Sequence, residues 1–220
     1  MPSSRPNHIP LIISAVRQIQ PKSILDIGTG FGKWGVLFRE YTDIIASEHN
    51  PERYQKPGWQ VRIDGVEGFE PYVTDLHRFV YNNLYQGEAL EILENCEKYD
   101  LIFIGDVIEH FEKPDGQEVL RRCLEKANKA VMISTPATET PQDGVCGNEL
   151  ETHRSHWTKG DFLHHEGWDT IIAPGDIRVA LNLRGETPRF SLKKLSSSWP
   201  RWMINLRKRL GKVKRGLLND

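Results

Sequence analysis

The sequence is poor in cysteine and lacks a long apolar run, and both absences narrow the class of protein. Its three cysteines, Cys96, Cys123 and Cys146, lie far apart and form no Cys-x-x-Cys pair. This odd, scattered set excludes a disulfide framework and a zinc–thiolate site, and it is typical of a reducing compartment. The apolar stretch at residues 9–16 is too short to cross a bilayer, and no cleavage-site pattern follows it. We therefore expect a cytoplasmic protein.

Net charge is also nearly absent, at −1, but this balance hides an uneven distribution. Residues 189–220 contain ten lysines and arginines and one acid, which gives +9. The remaining 188 residues contain 19 basic and 29 acidic side chains, which gives −10. An acidic body is a poor surface for a phosphate backbone, so we expect no double-stranded nucleic acid as a partner.

The stretch 23–41, SILDIGTGFGKWGVLFREY, has the pattern of a buried strand, a glycine turn and a helix. Glycine tolerates positive φ and has no Cβ, so such a turn lets a ligand approach the backbone and the free amides of the helix. Two frames fit this turn. The Gly-x-Gly-x-x-Gly that begins at Gly30 is the dinucleotide pattern and favours NAD. The other frame, Asp26-x-Gly28-x-Gly30-x-Gly32, ends the strand at Asp26 and places the glycines in the crevice beyond it.

Strand and helix patterns alternate along the chain and predict an α/β fold with a doubly wound, mostly parallel sheet. The predicted helices cover 8–20, 32–41, 88–95, 116–128 and 158–166, and the clearest predicted strands cover 23–27, 61–66, 99–104, 130–134, 169–173 and 176–183. The last two strands follow each other directly, with only a short turn between them. They predict a closing antiparallel strand, which a dehydrogenase sheet less often has.

Four segments, in this order, resemble the class I S-adenosylmethionine (SAM) dependent methyltransferases. They are the glycine turn in the Asp26 frame, Ile-Asp-Gly-Val-Glu ending at Glu67, Tyr-Asp-Leu-Ile with Asp-Val-Ile-Glu-His over 99–110, and Glu-x-His-Arg-Ser-x-Trp over 151–157. The resemblance implies a seven-stranded, Rossmann-like methyltransferase sheet that ends in an antiparallel strand. It also implies SAM as the cofactor.

The resemblance assigns cofactor contacts to specific positions. Asp26 would lie near the methionine end of SAM, and the acid of the Gly-Glu-Ala at Glu88 would face the adenine amino group. The implied cofactor-binding set is Asp26, Gly28, Gly30, Gly32, Glu67, Glu88 and Asp106.

Two acids compete for the ribose hydroxyls, which in this family are bound at the end of the second strand. Glu67 precedes Glu88 by 21 residues, which leaves room for one helix and one strand, whereas Glu48 precedes it by 40. We therefore assign the ribose to Glu67, with Asp64 as a neighbouring alternative. Residues 43–59 then become an insertion.

The chemistry of methyl transfer directs attention to Asp106, Glu109 and His110, at positions i, i+3 and i+4. They would share one face of a helical turn. His110 is a candidate general base, and all three are candidate ligands for a divalent metal ion that acidifies an acceptor hydroxyl. His153, in a later polar loop, is a second candidate base and could complete a metal site with Glu109 and His110. The alternative is that these side chains only cap the turn and shape the pocket.

The sequence divides into an N-terminal helix region at 1–20, a methyltransferase domain at 21–188 and a basic amphipathic tail at 189–220. Apolar residues at helical spacing in the tail are Trp199, Trp202, Met203, Leu206, Leu210, Val213 and Leu217. With the interleaved basic residues, this pattern is typical of a helix on an anionic membrane. We expect residues 199–217 to attach the protein peripherally to the inner membrane face. A tail without structure and a tail packed on the acidic body are the alternatives.

The predicted function is SAM-dependent O-methylation of a small-molecule or glycan-type acceptor. Oxygen is favoured because the resemblance places Asp-x-x-Glu-His among metal-assisted O-methyltransferases. An NAD-dependent oxidoreductase and a non-catalytic scaffold that docks at the membrane are the alternatives.

Overall fold

The structure, a computed structural model, describes residues 5–45 and 50–197. Seven strands form one sheet in the order β3-β2-β1-β4-β5-β7-β6. The strands are β1 (Ser23–Ile27), β2 (Arg62–Glu67), β3 (Leu84–Gln86), β4 (Tyr99–Gly105), β5 (Ala127–Pro136), β6 (Trp168–Ala173) and β7 (Ile177–Leu183). The first five strands pair in parallel, and β7 runs antiparallel to both β5 and β6. The predicted closing hairpin is thus confirmed.

Helices connect the strands and cover both faces of the sheet. They are α1 (Ile9–Ile19), α2 (Lys33–Arg39), α3 (Asp75–Val80), α4 (Ala89–Asn95), α5 (Lys113–Lys126), α6 (Lys159–Phe162) and α7 (Leu192–Ser197). The bounds of α1, α4 and α5 agree with the periodicity of apolar residues to within a few positions. Short helical turns, including Ile108–His110 and Glu149–Glu151, lie in the connecting loops.

Alternating side chains of each central strand bury into two separate hydrophobic cores, because successive residues point to opposite faces. On β4, Leu101 and Phe103 pack with α1 and α2, whereas Ile102 and Ile104 pack with α4 and α5. All four side chains are fully buried. This double burial explains why the strand reads as a continuous apolar run.

The second strand is Arg62–Glu67, as the spacing argument required. The stretch before it, the predicted insertion, contains the short helical turns Pro51–Tyr54 and Lys56–Gly58. Glu48, the competing ribose acid, lies outside the described residues.

The predicted helix over 158–166 is wrong in length, because only Lys159–Phe162 is helical. Phe162 is fully buried, but the next residue, Leu163, is 61% exposed. A helix continued through Leu163 would therefore have no apolar face to bury. Gly167, at φ 89°, turns the chain into β6 instead.

Helices α1 and α7, which come from the two terminal regions, bury side chains in one core on the sheet. Leu192 of α7 is fully buried in the same core as α1, and its backbone N–H donates to Asp169 at 2.8 Å. The first residues of the predicted tail therefore belong to the body. Residues 198–220, which carry the predicted membrane-binding pattern, lie outside the described residues. Within 5–45 and 50–197, no helix is long and apolar enough to span a membrane.

Candidate active site

A cavity of about 600 Å³ opens at the edge of the sheet where the parallel strands end. Its volume is in the range of small-molecule and cofactor sites. The residues from the cofactor set that line it are Gly28, Gly30, Glu67, Glu88 and Asp106, and from the catalytic and metal set they are Asp106, Glu109, His110 and His153. The fold therefore brings the predicted catalytic residues and five of the seven predicted cofactor residues to one cavity, without Asp26 and Gly32.

The glycine turn after β1 requires glycine for conformation and for space. Gly28 has φ 75°, and a Cβ there would lie 2.3 Å from Val107 Cγ2. Gly30 has φ 53°, and a Cβ there would meet no described atom within 4 Å, so this glycine faces the open cavity. Gly32, at φ 87°, caps the start of α2 and is outside the cavity lining.

Glu67 is held by the glycine turn itself. Its Oε2 accepts hydrogen bonds from Gly30 N at 2.8 Å and from Thr29 Oγ1 at 3.1 Å, and its Oε1 accepts from Phe69 N at 3.0 Å. The side chain is 5% exposed and lines the cavity. Asp64, the alternative, is buried below the cavity and accepts bonds from Arg62, Tyr99 and Asn83. These contacts favour Glu67 over Asp64.

Asp26 is not at the cavity surface, contrary to the predicted frame in which it ends the strand. It lies inside β1, is fully buried, and accepts a 2.6 Å hydrogen bond from Tyr81 Oη. Burial raises the pKa of Asp26 from 3.8 to about 7, and the Tyr81 hydrogen bond opposes this rise. Asp26 therefore lies behind the residues that line the cavity.

Asp26→Asn should stabilise the ligand-free protein at pH 8 and leave it nearly unchanged at pH 4. With its pKa raised, the folded Asp26 keeps a proton that the unfolded chain releases, so stability falls as pH rises from about 4 to about 7. The gain above pH 7 is at most about 4 kcal/mol, at about 1.4 kcal/mol per pH unit. Urea titrations at both pH values measure it, with the exposed Asp143→Asn as the control. An equal effect at pH 4 and pH 8 would contradict the assignment.

The segment after β4 turns sharply into the cavity. Asp106 has φ 55°, its backbone N–H donates to Ser134 O at 2.8 Å, and its Oδ1 is buried without a partner among the described residues. The following turn, Ile108–His110, is a single tight turn and not an α-helix. The α-helical turn that the i, i+3, i+4 argument assumed is therefore replaced here by a tighter turn, although Asp106 lies near enough to Glu109 to help raise the pKa of its carboxyl.

The candidate metal-binding cluster instead consists of Glu109, His110 and His153. One ligand atom from each can be chosen so that all three atoms lie within 4.8 Å of one another. The centroids of the two imidazole rings are 4.9 Å apart. Asp106 is outside this group. His153, which lies on the loop that follows β5, is brought close to Glu109 and His110.

The protonation states in this cluster suit metal binding. Burial raises the pKa of Glu109 well above its usual range, and its Oε2 has no partner among the described residues. Burial, with the neighbouring His153, lowers the pKa of His110 to about 4. A neutral imidazole and a buried carboxyl without a counter-charge are both groups that a divalent cation would stabilise.

The imidazole nitrogens have defined surroundings. His110 Nε2 lies 3.2 Å from Asp106 O, and its Nδ1 lies 3.3 Å from Thr152 O. A neutral ring donates to only one of these carbonyls, so one nitrogen keeps a lone pair. His153 Nδ1 lies against Thr140 O, which assigns the proton to Nδ1 and the lone pair to Nε2.

Two buried histidines near the site were missed by sequence reasoning. His8 is fully buried beside Trp34, at 5.4 Å between ring centroids, and neither ring nitrogen has a partner among the described residues. His77 is fully buried behind the glycine turn and contacts Gly30. Neither belongs to a motif, and only the position of His8 at the start of a predicted helix could have drawn attention to it.

No protein-family model matches the chain, and no curated protein matches its sequence. Solved structures do match. The methyltransferase domain of a bacterial CtHen1 is 16% identical, with a TM-score of 0.53, over 81% of this chain and 99% of that one. Magnesium protoporphyrin IX methyltransferase (ChlM) from Synechocystis PCC 6803, solved with bound S-adenosylhomocysteine (SAH), is 11% identical, with a TM-score of 0.51, over 80% and 82%.

The mitomycin 7-O-methyltransferase MmcR is 13% identical, with a TM-score of 0.53, over 81% of this chain. This chain spans only 53% of the length of MmcR. At these identities the matches establish the fold, which is the Rossmann-like fold of SAM-dependent methyltransferases.

Proposed function

We propose that this protein is a SAM-dependent O-methyltransferase that acts on a hydroxyl of a small-molecule or glycan-type acceptor. One observation carries the proposal. A single cavity joins the glycine turn and Glu67, at one side, to Glu109, His110 and His153, at the other. The first side offers an open backbone turn and a carboxylate to an adenosyl cofactor. The second side offers side chains that could deprotonate a hydroxyl.

The residues fit SAM. Gly30 leaves open space at the turn, Glu67 and Glu88 offer carboxylates to hydroxyl and amino donors, and the buried Asp106 Oδ1 has no donor within the part of the chain that the structure describes. Bound SAM supplies the methyl group on a positively charged sulfur. The protein contributes alignment, because transfer requires the acceptor oxygen in line with the departing sulfur.

The second side of the cavity fits a divalent metal ion held by Glu109, His110 and His153. Such an ion lowers the pKa of a bound hydroxyl. Glu109 would lose its proton on binding the ion, and each histidine would use its lone-pair nitrogen. A route without metal is also supported, since His153 lines the cavity and its Nδ1 donates to Thr140 O, which leaves the lone pair on Nε2 for a general base.

The acceptor side favours a neutral, hydroxyl-rich molecule. Polar side chains on the loop after β5 line the cavity here: Thr138, Glu139, Thr140, Gln142, Asn148 and Glu151. A second cavity of about 140 Å³ shares Glu109 and His153 with the first and offers room for an acceptor substituent. The carboxylates among these polar side chains accept hydrogen bonds from sugar hydroxyls, and Arg154, which also lines the cavity, can donate to an acceptor oxygen.

The cellular setting is part of the proposal. We propose that the protein is cytoplasmic and that residues 199–217 bring it to the inner membrane face, where a lipid-linked glycan would be an accessible acceptor. This part rests on the sequence pattern alone.

Ligand-induced thermal stabilisation tests the cofactor. SAM or SAH at 100 times its dissociation constant should add about 2.7 kcal/mol, or roughly 5–10 °C in Tm, and NAD should add nothing. Glu67→Gln should reduce the shift, and the exposed Glu112→Gln should not. A shift with NAD alone would favour the oxidoreductase. SAH binding without methyl transfer to any hydroxyl acceptor would favour the scaffold.

A further inference from the structure

His77 connects helix α3 to the glycine turn through both ring nitrogens. Its Nδ1 accepts the backbone N–H of Thr74 at 3.1 Å, as part of a capping box at the start of α3. Because Nδ1 must keep its lone pair for this bond, the proton of the neutral ring is on Nε2. Nε2 therefore donates to Gly30 O, at 3.0 Å. Burial lowers the pKa of His77, which keeps the ring in this neutral form.

Two different elements therefore form hydrogen bonds with the two backbone polar groups of Gly30. Its carbonyl accepts from His77 on α3, and its N–H donates to Glu67 at the end of β2, at 2.8 Å. Gly30 has no side chain and sits at φ 53°, so these two bonds engage both of its backbone polar groups. They add to the bonds that hold the turn at Thr29, whose N–H donates to Val66 O at 3.1 Å and whose Oγ1 donates to Glu67 at 3.1 Å. His77 is fully buried and is outside the cavity lining.

We propose that His77 is a positioning residue for cofactor binding. It orients the Gly30 carbonyl, and through the Gly30 backbone the Glu67 carboxylate, toward the adenosyl ligand. The inference rests on the proposed function, because it assumes that an adenosyl ligand binds at Gly30 and Glu67. His77 itself touches no ligand. Its effect is on affinity, since a misoriented Glu67 would have to be reordered when the ligand binds.

Three substitutions separate positioning from folding. His77→Leu removes both ring bonds. His77→Gln keeps them, because a glutamine at this capping-box position accepts from Thr74 N through its oxygen and donates to Gly30 O through its amide. Thr74→Val removes the hydroxyl of the cap, which also lies 3.1 Å from His77 Nδ1, so it weakens α3 but leaves the bonds of the His77 ring to Thr74 N and Gly30 O.

Calorimetric titration with SAH, together with Tm measurement, gives the test on the full chain. We expect His77→Leu to raise the Kd about tenfold, in line with the loss of one buried hydrogen bond and its preorganisation. His77→Gln should stay within threefold of the wild type. Thr74→Val should lower Tm without changing the Kd. For turnover, His77→Leu should raise the KM for SAM and leave kcat nearly unchanged.

Several outcomes would overturn the inference. An unchanged Kd in His77→Leu with a lower Tm would make His77 purely structural. A Kd in His77→Gln as weak as that of His77→Leu, or an equal loss in Thr74→Val, would remove the role of the Gly30 bond. If the wild-type protein binds no SAH, the proposed function fails and this inference fails with it.

Discussion

Glu109→Gln should lower methyl transfer by roughly 10²–10³-fold, the largest catalytic loss that we expect from one substitution in this chain. The glutamine keeps the volume of a side chain that is 3% exposed, so the fold is retained. It removes the anionic oxygen from the cluster with His110 and His153. Loss of a metal's charge stabilisation costs several kcal/mol in the transition state, and each 1.36 kcal/mol is a factor of ten.

The measurement is the initial rate of methyl transfer from SAM to a hydroxyl acceptor, with and without EDTA. The wild type should lose activity in EDTA and regain it with an added divalent ion, whereas Glu109→Gln should be slow in both conditions. Glu112→Gln, an exposed neighbour outside the cavity, is the matched control. If EDTA leaves the wild type fully active but His153→Ala abolishes turnover, the metal is excluded and His153 is the base.

A normal rate in Glu109→Gln would mean that the buried carboxyl shapes the turn and takes no part in the chemistry. SAH affinity in the same variant gives the second readout. It should stay near the wild-type value, because Glu109 lies on the acceptor side of the cavity. A parallel loss of SAH affinity would indicate collapse of the whole cavity rather than loss of a ligand.

The sheet was predictable from the sequence because its strands are local patterns. Tyr99–Gly105 is a continuous apolar and aromatic run, and the turn at Pro174-Gly175 separates two such runs. The choice of the strand that ends at Glu67 needed only spacing, since one helix and one short strand must fit before Glu88. These inferences depend on distances along the chain, which the sequence displays directly.

The electrostatic detail of the site was not predictable, because it depends on residues far apart in sequence. Asp26 is hidden from the cavity and bonded to Tyr81, 55 positions away. The cluster of Glu109, His110 and His153 takes His153 from a loop, and Ile108–His110 forms one tight turn where the i, i+4 argument assumed a helix. A periodicity argument assigns a face only after the type of helix is known.

The contacts of the predicted insertion were not predictable from the sequence either. Its proline and glycine content suggested a loop, but no pattern indicated that Asp43 would connect both ends of the insertion through hydrogen bonds. Asp43 is fully buried, and its carboxylate accepts from Arg39 at 2.7 Å, from Arg53 at 3.1 Å and from Gln60 N at 2.6 Å. One side chain thus connects the end of α2, the insertion and the segment that leads into β2.

Asp43→Ala should therefore destabilise the protein by about 3–5 kcal/mol, the usual cost of leaving one member of a buried ion pair without its partner. Arg39 is 3% exposed and lies over the ring of Trp59, so its charge cannot reach water without unpacking the insertion. In a domain of this size the change corresponds to a Tm lower by roughly 6–20 °C, at about 2–4 °C per kcal/mol. Thermal and urea unfolding would measure it.

Asp75→Ala is the matched control, because the ion pair of Asp75 with Arg78 is exposed and should contribute no more than about 1 kcal/mol. If the loss in Asp43→Ala arises from a buried charge without its partner, adding Arg39→Met should recover part of it, since an apolar side chain carries no charge to be desolvated. A double variant less stable than Asp43→Ala would show instead that the remaining hydrogen bonds of Arg39, to Val61 O, Val80 O and Asn82 Oδ1, hold the insertion in place. In either case SAH affinity should be unchanged in the folded variants, because Asp43 and Arg39 are outside the cavity lining.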